Sequence, residues 1–274
     1  MTSAAAAKLI PAHPESVSVI RAVTPNIVTV SSPFLRFGLF RVGGRGTIVR
    51  MSNGALVIFS PTALTPEVRK TLDNLGGNVK YIAAPDIEHH IFVGEWAKAF
   101  PAAHVIGVDG LPEKREKSAE TQGTKFSHVF TKENKLDLRI DADFDKDFDY
   151  EFVHSHGNKE FVINYRPDRT LIQADLIWNL PAKEQYSKSG ESPTAGIWTK
   201  LFASLLTLDG TAKAQKRFLW YALSAGDRKG FNESMHRINN WNFDRIIPCH
   251  GDVVETGGKG IFEKVMQWHL EAKP

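Results

Sequence analysis

The chain has 274 residues, 42% of them hydrophobic, 24% charged and 10% aromatic, which excludes a disordered or fibrous protein. Its 34 basic and 31 acidic side chains leave a formal charge of +3, far below the charge density of a non-specific nucleic-acid binder. A single cysteine, Cys249, excludes an intramolecular disulfide and a zinc site built on cysteine pairs, so a metal must be held by His, Asp or Glu.

Residues 1–24 read as a flexible N-terminal tail without a secretory pattern, and 25–274 as one domain. From Asn26 to Phe59 the pattern is of strands separated by turn chemistry at Gly43-Gly44-Arg45-Gly46 and Ser52-Asn53-Gly54. Thr65-Pro66-Glu67 has the form of an N-cap, a first-position proline and an acidic first turn, which predicts a helix ending before Gly76-Gly77. Strand and helix then alternate: a strand at Tyr81–Ala84, a helix from His89 to Phe100, and a strand at His104–Val108. The charged stretch 111–149 reads as surface elaboration, with one alternating edge strand at Leu136–Ile140.

Three further strands follow, at Tyr150–Val153, Glu160–Tyr165 and Thr170–Ala174. Helical spacing returns between Gly196 and Trp241, then a last strand at Arg245–Pro248 and a helix from Gly260 onward. The loop from Gln185 to Gly196 is a candidate lid. This order suits a layered α/β protein with two sheets covered by helices. The longest apolar runs, such as Ala55–Phe59, are strand-sized, so no membrane partner is expected, nor nucleic acid. The expected setting is cytoplasmic, the expected partner a small-molecule substrate, and the oligomeric state is left open.

Five of the ten histidines stand just beyond strand ends, where α/β folds collect functional groups: His89, His90, His154, His156 and His250. Asp175 ends the apolar run Leu171–Ala174, where an acidic group has to be hydrogen-bonded, paired or bound to metal. Such a nitrogen and oxygen shell suits Zn(II), Fe(II) or Mn(II).

The succession Pro85-Asp86-Ile87-Glu88-His89-His90, His154-Ser155-His156-Gly157, Leu171-Ile172-Gln173-Ala174-Asp175-Leu176 and Ile246-Ile247-Pro248-Cys249-His250-Gly251 resembles the metallo-β-lactamase fold superfamily. The resemblance runs from about Asn26 to the end and implies a four-layer αββα sandwich. The family's first motif is HxHxDH; with its last histidine on His90, Pro85 and Ile87 replace the two histidines of the first metal and His89 replaces the aspartate. The resemblance therefore implies a metal set of His89, His90, His156, Asp175 and His250 holding one divalent ion, zinc or iron, with two left open. Should only one of the adjacent histidines ligate, the alignment favours His90. Asp86 is a candidate acceptor for an imidazole or itself a ligand.

His154 reads as a substrate-side or hydrogen-bonding residue, Cys249 as a buried strand cysteine, and Trp178, Tyr186 and Trp198 as candidate pocket walls. The implied activity is hydrolysis of an ester, lactone or thioester by a metal-activated water. An iron-type oxidase or oxygenase of a phenolic or aromatic molecule is the alternative, and a non-catalytic binding scaffold the second alternative.

Overall fold

The structure is a computed structural model and describes residues 10–272. Strands β1 (Val19–Thr24), β2 (Ile27–Ser32), β5 (Gly44–Arg50), β6 (Leu56–Phe59), β7 (Val79–Ala83), β8 (His104–Val108) and β9 (His128–Phe130) form one sheet in that order. Its first four strands are antiparallel and its last four, from β6 onward, are parallel. A second sheet holds β10 (Phe148–Val153), β11 (Glu160–Tyr165), β12 (Thr170–Gln173) and β13 (Arg245–Pro248), the last two parallel. Within the first half of the chain, β3 (Leu35–Arg36) and β4 (Phe40–Arg41) form a separate small hairpin.

Side-chain alternation builds the layers. Phe148, Phe152, Phe161, Ile163, Ile172 and Ile247 join the core shared with the first sheet, together with Ile27, Val57 and Ile82. The alternate positions Val153, Val162, Leu171 and Ile246 face the opposite way and pack with residues of the long helices near the C-terminus. Helices α1 (Pro14–Val17), α2 (Pro66–Asn74), α3 (Val93–Ala99), α4 (Leu111–Glu116) and α5 (Ala142–Asp147) precede the second sheet in the chain. The second half carries α6 (Lys183–Tyr186), α7 (Ile197–Leu205), α8 (Lys213–Phe218) continued by a π-turn at Leu219–Leu223, α9 (Arg228–Asn239) and α10 (Gly258–Glu271). The αββα sandwich is thus present. Among the described residues no helix is long and apolar enough to cross a membrane.

Three expectations are corrected. Of the expected tail, residues 1–9 lie outside the described residues, but Val19–Thr24 is β1, paired in register from Val19 opposite Ser31. Its Ile20 and Val23 pack against the main core, which a tail could not do. Leu136–Ile140 is not a strand: Asn134 accepts the Asp137 and Leu138 N–H groups through its carbonyl, and these turns consume the donors a ladder would need. The helix expected from His89 begins only at Val93, because the preceding residues are folded into a turn around Asp86. The N-cap at Thr65 is as expected, its hydroxyl accepting the Val68 N–H.

Candidate metal centre

The chain leaves β7 into a turn held by one buried carboxylate. Asp86 Oδ1 accepts the backbone N–H groups of Glu88 and His89, both at 2.7 Å. Its Oδ2 lies 2.8 Å from His89 Nδ1, so the imidazole donates Nδ1–H and turns Nε2 inward. His90 points the other way: Arg115 Nη1 donates to the His90 carbonyl at 2.5 Å and stands 3.1 Å from its Nδ1. The Asx-type turn around Asp86 thus brings His89 to the cluster and leaves His90 held against Arg115 instead. The preference for His90 over His89 is thereby reversed. Burial and the charges of Lys114 and Arg115 push the His90 imidazole down to about 4, a neutral group outside the cluster.

Asp175 and His250 arrive together because β12 and β13 are parallel neighbours, with Gln173 opposite Pro248. Each of the two side chains stands two residues beyond that pair. Asp175 Oδ2 accepts from Asn158 Nδ2 at 2.6 Å, and its backbone N–H donates to Glu160 Oε2 at 2.9 Å. The other oxygen, Oδ1, is buried, lies 3.2 Å from His250 Nε2 and has no hydrogen-bond partner among the described residues. His250 donates Nδ1–H to the Gly43 carbonyl at 2.6 Å, which again directs Nε2 inward. Arg45, fully buried, donates Nη1–H bonds to the carbonyls of Pro248 and Gly251 at 2.7 and 2.6 Å and so fixes the strand end that carries His250.

The Nε2 atoms of His89 and His250 are 3.1 Å apart, and one donor atom from each of His89, His250 and Asp175 lies within 4.8 Å of the others. Donors of a tetrahedral ion bound at about 2.0–2.1 Å are separated by roughly 3.3 Å, which the His89–His250 and His250–Asp175 separations of 3.1 and 3.2 Å match. The unpartnered Asp175 oxygen completes the fit. Two imidazole nitrogens this close need either a shared proton or a metal ion between them. Burial opposes a charge on His89, but the carboxylates of Asp86, Asp175 and Glu160 outweigh it and push the imidazole up to about 9. Burial and the same acidic neighbours, Asp86 and Asp175, hold the Glu160 carboxyl well above the usual range. Asp175 is held low: burial works against its charge, and His89 and His250 more than offset that.

A sign follows for the metal-free protein. A histidine raised from an unfolded value of about 6.5 to about 9 contributes stability that is complete below pH 6.5 and lost as pH rises through 9, about 3 kcal/mol in all. A metal ion bound there would take the place of that proton. Zinc binding at pH 7.5 is therefore expected to release about one proton, read by calorimetry in buffers of different ionisation enthalpy, and release near zero would contradict the assignment.

The remaining candidates fall outside the cluster. His156 is buried, its Nδ1 accepts the Asn158 N–H at 3.2 Å, and its Nε2 has no partner among the described residues. His154 lies 3.2 Å from Asp227 Oδ2, away from the cavity. Cys249 is buried, as expected. A cavity of about 350 Å³ opens onto the three donors, walled mainly by Phe34, Phe37, Trp178, Phe202, Phe218 and Leu223. Of the aromatic candidates only Trp178 lines it: Tyr186 donates its hydroxyl to the Phe34 carbonyl, and Trp198 is exposed. Residues 187–196 of the candidate lid loop do not line it either.

Sequence reasoning missed the Gly43 carbonyl and Arg45, which it placed in a turn. The signal was a lone Arg among glycines: Gly46 has no room for a side chain, its Cβ position being 2.9 Å from the Ser60 carbonyl oxygen.

Placing the motif's last histidine on His89 shifts its register by one. Glu88 then takes the aspartate position and Asp86 and Ala84 those of the two histidines. Glu88 lines the cavity, bound by Lys114 Nζ at 2.8 Å and Arg36 Nη1 at 3.1 Å.

Solved structures share this architecture. A metallo-β-lactamase from Pontibacter korlensis, 14% identical, aligns over 93% of this chain and 100% of its own with a TM-score of 0.54. A variant of the flavo-diiron protein from Thermotoga maritima, 12% identical, aligns over 92% and 62% with a TM-score of 0.55. A flavodiiron core from Synechocystis, 11% identical, aligns over 93% and 61% with a TM-score of 0.56. The chain has the metallo-β-lactamase fold. It belongs to the family described as Domain of unknown function (DUF4336), whose model matches residues 38–185. No curated protein matches the sequence.

Proposed function

We propose that the protein is a metal-dependent hydrolase with one ion, acting on an ester, lactone or thioester of an apolar small molecule. The observation that carries this reading is the convergence of His89 Nε2, His250 Nε2 and Asp175 Oδ1 on the wall of an apolar cavity. Two histidines and one carboxylate with further positions free form the shell of hydrolytic zinc sites. A divalent ion held there supplies a water of lowered pKa and a Lewis acid for the substrate carbonyl.

The chain's own groups do the rest. Asp86 and the Gly43 carbonyl hold the two imidazoles in the tautomer that offers Nε2. Asn158 donates to the Asp175 carboxylate, Glu160 accepts the Asp175 backbone N–H and so fixes its strand end, and Phe34, Trp178 and Phe202 exclude water and seat the apolar part of the substrate. Asp86, placed where the motif has a histidine, and Ala84 leave the family's first metal position without two of its ligands, which supports a single ion.

A second reading, an iron oxidase or oxygenase, is favoured by the same shell, since two histidines and a carboxylate also serve oxygen-activating iron, and by the aromatic walls. The metal decides between them. Protein purified anaerobically is expected to carry about one zinc per chain, to hydrolyse aryl esters with apolar acyl groups and to consume no oxygen. Iron with oxygen uptake would establish the second reading, and the absence of any stoichiometric metal would leave a binding scaffold.

A further inference from the structure

Large apolar side chains normally left inside stand exposed together beside the cavity mouth. On α7 these are Ile197, 74% exposed, Trp198, Leu201 and Leu205; on the β3–β4 hairpin they are Phe37, 70% exposed, and Leu39. The two elements form one surface. Thr199 donates its hydroxyl to the Leu39 carbonyl and accepts the Arg41 N–H, and Phe40 packs on Phe202 with ring centroids 4.8 Å apart. Phe37 and Phe202 also line the cavity, so the exposed face continues into it. A contiguous apolar face of this kind is an interaction surface.

The charge around it selects the partner. On α7 and α8, from Ile197 to Phe218, there are four basic residues, Lys200, Lys213, Lys216 and Arg217, against one acid, Asp209, and α8 adjoins the face through Phe218, which packs against the same cluster as Phe202 and Phe40; from Pro33 to Gly44 there are two, Arg36 and Arg41, and no acid. Lys216 is buried and donates to Gln267 Oε1 at 2.7 Å. Arg36 and Arg41 are tied to Glu88 and Glu191, whereas Lys200, Lys213 and Arg217 are exposed and form no ion pair among the described residues. A second copy of the chain would bring like charges face to face across a two-fold axis, at a cost to association. An anionic lipid surface supplies both what the apolar face and what the basic fringe require.

We propose that the α7 and β3–β4 face docks on an anionic lipid bilayer, with Trp198, Leu201 and Phe37 entering the interface and Lys200, Lys213 and Arg217 meeting the headgroups. The expectation of no membrane partner rested on apolar runs too short to span. This face is assembled from two segments about 160 residues apart and leaves no such run. Docking there sets the cavity mouth against the lipid, and an apolar substrate enters without crossing water. This route of entry rests on the hydrolase reading; the docking itself does not.

The test is co-sedimentation of the full chain with vesicles of phosphatidylcholine alone or mixed with phosphatidylglycerol. Binding to the mixed vesicles is expected to exceed that to the neutral ones by at least about tenfold, and Lys200→Glu, Lys213→Glu and Arg217→Glu are each expected to weaken it about fivefold. A Trp198→Ser, Leu201→Ser variant is expected to lose binding while keeping the circular dichroism spectrum and melting temperature of the parent, which shows that the fold is intact. The proposal is overturned if neither vesicle is bound, if both are bound equally, or if the variants bind as the parent does. A dimer in vesicle-free solution that the same double variant abolishes would also overturn it.

Discussion

His250→Ala is expected to lower the affinity for zinc by more than about 100-fold, beyond the ~10–100-fold range of changes that touch a ligand only from outside. His89→Ala is expected to match it, and His90→Ala to leave the affinity within a few-fold of the parent. The contrast between adjacent histidines is the informative part. His89 Nε2 lies 3.1 Å from His250 Nε2, whereas His90 is engaged by Arg115. Asp86→Asn preserves the volume and the acceptor for the Glu88 and His89 N–H groups but removes the charge behind His89, so it falls in the ~10–100-fold range. Equilibrium dialysis against zinc, with circular dichroism to confirm folding, reads all four. Loss of zinc in the His90 variant with retention in the His89 variant would reject the site described above.

Gly251→Ala is expected to destabilise the protein by about 3 kcal/mol, a fall in melting temperature of roughly 6–12 °C for a chain of this size. A Cβ at Gly251 would stand 2.0 Å from the Asn179 carbonyl oxygen and 2.2 Å from its carbon, and φ there is +88°. Both obstacles are backbone, so no side chain can swing aside. Relief requires the 250–251 segment to move away from Asn179, which pulls His250 from the Gly43 carbonyl and the Gly251 carbonyl from Arg45. The same variant is therefore expected to bind zinc less tightly even where it remains folded. Gly260→Ala is the control: its Cβ position meets nothing within 4 Å and it lies within α10, so a thermal melt is expected to show no loss.

What was legible in the sequence follows from how local each cause is. The strands from β5 to β8 and from β10 to β13 announce themselves by apolar runs bounded by turn residues, and α2 by the Thr65 cap. Asp175 and His250 were readable because a polar side chain at the end of a buried apolar strand must be paired, hydrogen-bonded or bound to metal. The choice between His89 and His90 was not readable. It depends on which backbone N–H groups the Asp86 carboxylate captures, a contact between neighbours that an alignment to a motif cannot weigh. Leu136–Ile140 failed for a related reason, since the alternation was real but Asn134 had already claimed the backbone donors. The Gly43 carbonyl and Arg45 were hidden because their partners stand about 200 residues away.

The parallel pairing of β12 with β13 has a bearing on how such a protein changes over generations. The chain leaves the sheet at Asp175 and returns at Arg245, and this excursion carries Phe202, Phe218 and Leu223 of the cavity wall. Both ends of the excursion are pinned, one by the Glu160 carboxylate and the other by Arg45, so the intervening helices can be lengthened, shortened or recoloured while the donor atoms keep their places. The reactive centre and the selection of what reaches it are inherited on separable stretches of chain. A descendant can acquire a new diet by editing the excursion alone.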